Sequence, residues 1–122
     1  MIRLKRVYAE PSSDDGYRIL VDRLWPRGLT KERAAIDLWL KEIAPSASLR
    51  IWFGHKPERF AELSHKYIDE LSNNTAVVTL EKLAARYPDL TLLYAAKDSA
   101  INHAVVLQKF LEKRGHGSRP TG

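Results

Sequence analysis

The chain has 122 residues, 44% of them apolar and 29% charged, which suits one globular domain with its own core. Lysine and arginine outnumber aspartate and glutamate 20 to 15, a net charge of +5 that favours anionic partners, although the basic residues are dispersed and form no block. Without cysteine there is no disulfide or thiolate metal site, no apolar run approaches the ~18 residues of a membrane span, and MIRLKRVY lacks the apolar stretch of a signal peptide, so the expected location is cytoplasmic.

From Ile2 to Tyr8 apolar and basic residues alternate, which predicts a half-buried strand. Pro11 to Gly16 (PSSDDG) reads as a loop too short for a parallel crossover, so the first two strands either pair antiparallel or are not neighbours. Ile19, Leu20, Val21 and Leu24 make the second strand. Thr30 is placed to cap a helix in which Ile36, Trp39, Leu40 and Ile43 follow the i, i+3, i+4, i+7 rule until Pro45 stops it. Ser48 is placed to cap a short turn bearing Leu49, Trp52 and Phe53, closed by Gly54. Pro57 suits the start of a helix lined by Phe60, Leu63, Tyr67 and Leu71, which Asn73-Asn74 breaks. Another amphipathic helix carries Ala76, Leu80, Leu83, Ala84 and Tyr87 and ends at Pro88. Leu90 to Ala96 is an apolar strand, after which Asp98 is placed to cap a last helix reaching Lys113. Gly115 ends that helix, and residues 116–122 read as a disordered tail. The order predicts an α/β fold: one domain over residues 1–115, a small mixed, partly parallel sheet, and about five helices.

The chemistry concentrates at two strand ends. RILVDRLWPRG runs from a buried strand into Asp22, Arg23, Trp25, Arg27 and Gly28, and LTLLYAA runs into Lys97 and Asp98, with Asn102 and His103 following. In open α/β sheets ligands sit at that edge. Asp22 and Arg23, as neighbours on a strand, point to opposite faces unless the strand twists out. Pro26 holds Trp25 extended, Gly28 permits a positive φ, and the N–H groups at Thr30 with Arg27 and Lys31 suggest an anion site. The competing reading of that turn is a tryptophan that plugs the core. His55, on a glycine-hinged loop, has the chemistry of a general acid or base, or of a solvated cap. Asp98 is equally a plain cap, and Asn102 shares its helix face. No GxGxxG, Walker A, HExxH or GxSxG pattern is present, and no dedicated metal site or particular cofactor is indicated.

RILVDRLWPRG, DLWLKEIAPS, LRIWFGH and LLYAAKD with NHAVVLQKFL together resemble the YeaO-like family of bacterial proteins, within the domain-of-unknown-function group 488. The resemblance covers nearly the whole chain and implies a small cytoplasmic α/β domain with no assigned catalytic residue. Looser members of the group carry a VDVR-type strand end and a Cys-His-Arg triplet in the last helix. The matching positions here are Val21-Asp22-Arg23 and Asn102-His103-Ala104, so the missing cysteine and arginine argue against carrying over a thiol mechanism.

The leading expectation is therefore a site for a small anionic ligand, phosphate- or carboxylate-bearing and nucleotide-like. Arg23 and Arg27 would clamp the anion, with Trp25, Gly28, Lys97, Asn102 and His103 as further ligand contacts. If chemistry occurs, as in a hydrolase or transferase, Asp22, His55 and Asp98 are the candidate catalytic groups. The alternatives are a nucleic-acid-binding or regulatory module, suggested by the charge, and a structural role in which Trp39 and Trp52 face a partner or a second copy.

Overall fold

Strands β1 (Ile2–Arg6), β2 (Tyr17–Leu20), β3 (Leu38–Trp39) and β4 (Leu90–Tyr94) lie in the order β1-β4-β2-β3 in a computed structural model that describes residues 1–116. Helices α1 (Lys31–Ala34), α2 (Ala47–Phe53), α3 (Phe60–Ser72), α4 (Ala76–Arg86) and α5 (His103–Lys113) complete an α/β architecture. Every strand pairing is parallel, so the sheet is not mixed. β1 and β2 are not neighbours, because β4 lies between them and pairs with both. Residues 7–16 make this crossover without an α-helix, since about ten extended residues reach roughly 33 Å, ample to return along a short strand. A single 3-10 turn at Ser13–Asp15, closed by a reciprocal Ser12–Asp15 capping box, folds the return.

β4 is buried along its whole length, as a central parallel strand covered on both faces should be. Alternation divides its side chains: Leu90, Leu92 and Tyr94 join Ile19 and Val21 under α2 to α5, while Leu93 joins Leu20, Val7 and Ala34 on the opposite face. Leu92 and Leu93 are fully buried, each worth about 1.5–3 kcal/mol of apolar transfer. The second face carries only one-turn α1 and loops, closed by Trp25, Leu29, Ile36 and Trp39.

The helix expected through Ile43 is not formed. Thr30 does cap α1, its Oγ1 accepting from the Arg33 N–H, but Ala35 turns left-handed at φ 49° and ends it. Leu38 and Trp39 then pair with Ile19 and Leu20, and Leu40 N–H donates to the Leu20 carbonyl. The open edge of β2 offers these residues ladder bonds, a tertiary gain that overrides the helical spacing. α2 is capped by Ser46, not Ser48, and ends at Gly54 in the left-handed region (φ 53°) as expected. α5 begins at His103 under an Asn102 cap; Asp98 instead caps its own turn, Oδ1 accepting from Ala100 and Ile101. His116 is held by Glu81 at 2.8 Å; the rest of the expected tail, residues 117–122, lies outside the described residues.

Candidate functional site

β2 and β4 end side by side, with Val21 N–H donating to the Leu93 carbonyl as their last rung. Beyond it, Asp22 continues the contact with its side chain: Oδ2 accepts from Ala95 N–H at 2.8 Å. The Asp22 carbonyl accepts from the Trp39 indole at 2.7 Å, so the residue is fixed from two sides. The chains diverge above this point and leave a cleft of about 580 Å³. Phe53, Leu63, Pro45 and Ile101 supply apolar wall, while Asp22, Arg23, Trp25, Arg27, Lys97, Asp98, Asn102, His103 and His55 all line it. The strand ends at Leu20, so Asp22 and Arg23 are free of strict alternation and both face the cleft.

The rim is held by side-chain bonds to backbone. Arg23 donates from Nε to the Pro45 carbonyl and from Nη2 to that of Ala44, both at 3.2 Å, tying the β2 exit to the wall before α2. Arg6 clamps the β4 exit in the same manner, through the carbonyls of Ala95 and Ala96. The Tyr8 hydroxyl donates to the Arg27 carbonyl at 2.9 Å and anchors the Pro-Arg-Gly turn. By contrast, the side chains of Arg27, Arg50 and Lys97 are exposed and, among the described residues, make no hydrogen bond or ion pair.

The remaining expected residues divide by what they already touch. Trp25 does plug the smaller core: its indole donates to the Leu29 carbonyl at 2.8 Å and its ring meets Trp39 edge-on at 5.5 Å. One side of it nevertheless lines the cleft. Gly28 takes φ 81° in the turn and lies outside the cleft, as do Thr30 and Lys31; the helix whose start faces the cleft is α5, not one-turn α1. His55 follows Gly54 in the left-handed region (φ 57°), a conformation uncommon for a side-chain-bearing residue, and stands exposed on the rim. Asn102 is buried and fully employed, Oδ1 accepting from Val105 N–H and Nδ2 donating to the Asp98 carbonyl.

His103 opens α5 with its Nε2 at 2.9 Å from the Val21 carbonyl and 3.2 Å from Asp22 Oδ1. That oxygen lies beside the N–H direction and makes no hydrogen bond; it is the one buried, unpartnered side-chain polar atom among the described residues. Tyr67 packs edge-on against the His103 ring at 6.0 Å and donates to the Ile43 carbonyl. Burial, reinforced by the Glu70 and Asp22 charges, raises its phenol well above the usual range and keeps it a neutral donor. Among the described residues no group of three His, Cys, Asp or Glu is placed to hold a metal ion, and no helix is long and apolar enough to cross a membrane. Sequence reasoning missed Tyr8 and Arg50, which reach the cleft from the turn after β1 and from α2. The only hint was that Arg50 falls inside LRIWFGH, one of the segments carrying the resemblance.

A family model described as the inactive DUF488-N3 subclade matches residues 1–119. The chain belongs to this family. It is 46% identical to the uncharacterized protein YeaO of Escherichia coli (strain K12), over 90% of this chain and 96% of that protein. Uncharacterized proteins of Mycobacterium tuberculosis (strain ATCC 25618 / H37Rv) and Mycobacterium bovis are each 42% identical, over 93% of this chain and 95% of theirs. No solved structure matches. For a member of the inactive DUF488-N3 subclade, position 102 is instructive. This chain has an asparagine there whose amide is both helix cap and turn brace.

Proposed function

We propose that the cleft at the mouths of β2 and β4 binds a small anionic ligand, a phosphate or carboxylate on a flat, nucleotide-like body. The observation that carries this reading is the set of unpartnered cations, Arg27, Arg50 and Lys97, around one largely apolar cavity. A guanidinium supplies five N–H donors in a planar fork suited to phosphate or carboxylate, and nothing among the described residues uses these two. The N–H groups of His103 and Ala104, the first of α5, have no acceptor among the described residues and add positive potential at the same place. Arg23 keeps part of its donor capacity after its two backbone bonds and sits deeper. Apolar walls with a few convergent polar groups are the usual make-up of a small-molecule site.

Binding without turnover is the form this proposal takes. Asp98 and Asn102 are occupied as local caps, and the family description carries the word inactive. The test is a thermal-shift titration with adenosine 5′-monophosphate and with pyrophosphate, on the natural protein and on an Arg27→Ala/Arg50→Ala variant. Binding to the native state raises the melting temperature by mass action. A saturable rise that the double variant abolishes supports the reading. A rise that the variant leaves intact, or no rise with either compound at millimolar concentration, rejects it.

A further inference from the structure

The proton on the His103 ring can be placed from geometry. A carbonyl oxygen only accepts, so the 2.9 Å contact between Nε2 and the Val21 carbonyl requires the proton on Nε2. In the neutral ring Nδ1 is then a bare acceptor. Among the described residues nothing donates to it, and it is not a buried atom, since Asp22 Oδ1 alone fills that description. The ring lines the cleft, and Nδ1 is its one nitrogen with no partner among the described residues. Asp22, immobilised through Ala95 and Trp39, sets a carboxylate oxygen 3.2 Å from Nε2 on the other side of the ring. Its charge pushes electron density toward Nδ1 and strengthens it as an acceptor.

We infer that His103 is the specificity-determining residue of the cleft: through Nδ1 it accepts a hydrogen bond from a hydroxyl or ring N–H that the ligand carries beside its anionic group. This rests on the anionic-ligand reading and narrows it. The rim cations engage any small phosphate or carboxylate, whereas His103 selects those with a neutral donor, such as a sugar phosphate or a nucleotide. The Val21 carbonyl holds the ring in the tautomer that makes the selection, with the Asp22 carboxylate beside the same N–H.

A matched pair of probes isolates the effect: glycerol 3-phosphate and n-propyl phosphate share a three-carbon body and a phosphate, and differ in hydroxyls. Calorimetric titration at pH 8, above the ordinary histidine range, should show the natural protein binding glycerol 3-phosphate about tenfold more tightly, the worth of one hydrogen bond. His103→Phe keeps a flat ring and deletes the Nδ1 acceptor; it should bring the two probes level by weakening glycerol 3-phosphate. Should that variant fold poorly, the ¹⁵N resonance of Nδ1 in the natural protein serves instead, moving with glycerol 3-phosphate and not with n-propyl phosphate. Equal affinity for the two probes overturns the inference, as does an equal loss of both in His103→Phe, which would make the ring an anion contact. Failure of both probes to bind the natural protein removes the anionic-ligand reading itself, a separate result.

Discussion

Arg18 and Arg27 stand on the same stretch of chain, yet their guanidinium groups meet opposite fates. Arg18 is buried and fully engaged, donating to Asp15 and to the carbonyls of Ala34 and Ala35. Asp15 in turn accepts from Lys5 and from Ser12 N–H, and its own carbonyl accepts from Thr91. That network is closed: each of its buried side-chain nitrogens and oxygens has a hydrogen-bond partner within the protein, and its role is architectural. Around the cleft Arg27, Arg50 and Lys97 are exposed and have no partner among the described residues. Both regions carry more positive than negative side chains, so charge alone does not mark a site. What marks it is positive charge that the fold leaves unanswered.

Opening the closed network should produce the largest loss. Arg18→Met leaves the buried Asp15 carboxylate with Lys5 and the Ser12 N–H and strips donors from two carbonyls, so urea unfolding should show about 3–5 kcal/mol less stability. Next comes the turn that delivers Asp15. Gly16 has φ 64°, and a Cβ there would sit 2.1 Å from the Asp89 carbonyl oxygen, so Gly16→Ala should cost about 1–3 kcal/mol in the same assay. The network also carries a pH dependence. Burial raises the Asp15 carboxyl, but bonds from Ser12, Lys5 and Arg18 outweigh it and hold the group below the ordinary value of 3.8. A folded value lower than the unfolded one means this contribution is complete above about pH 4 and is lost as pH falls through the depressed value. Thermal melts from pH 5 downward should show that loss, and Asp15→Asn should flatten it. Smallest in stability is the open region: Arg27→Ala and Arg50→Ala should each change the unfolding free energy by less than about 0.5 kcal/mol.

Much of this contrast was legible in the sequence, for physical reasons. β1, β4, α3 and α4 carry periodicities that only one element type satisfies, and the strand mouths announced themselves by charges that a buried strand does not need. β3 was not legible, because Ile36, Trp39, Leu40 and Ile43 happen to match a helical stripe while the decisive bonds come from the distant β2 edge. The all-parallel order was hidden for the same reason: β4 inserts between β1 and β2 from far along the chain. The cleft gathers the expected cluster apart from Gly28, but Arg50 and Tyr8 reach it only through tertiary packing. Sequence offered Asp98 as a cap, but not that Asn102 is the residue that caps α5, nor that Arg27 and Lys97 find no partner among the described residues.

The most direct test of the contrast is an amide ¹H–¹⁵N chemical-shift map of the protein titrated with adenosine 5′-monophosphate. Saturable changes should gather at Arg27, Arg50, Lys97, His103 and Ala104, while Asp15, Gly16 and Arg18 stay still. Changes scattered over the basic surface, or centred on the Asp15–Arg18 network, would contradict the account.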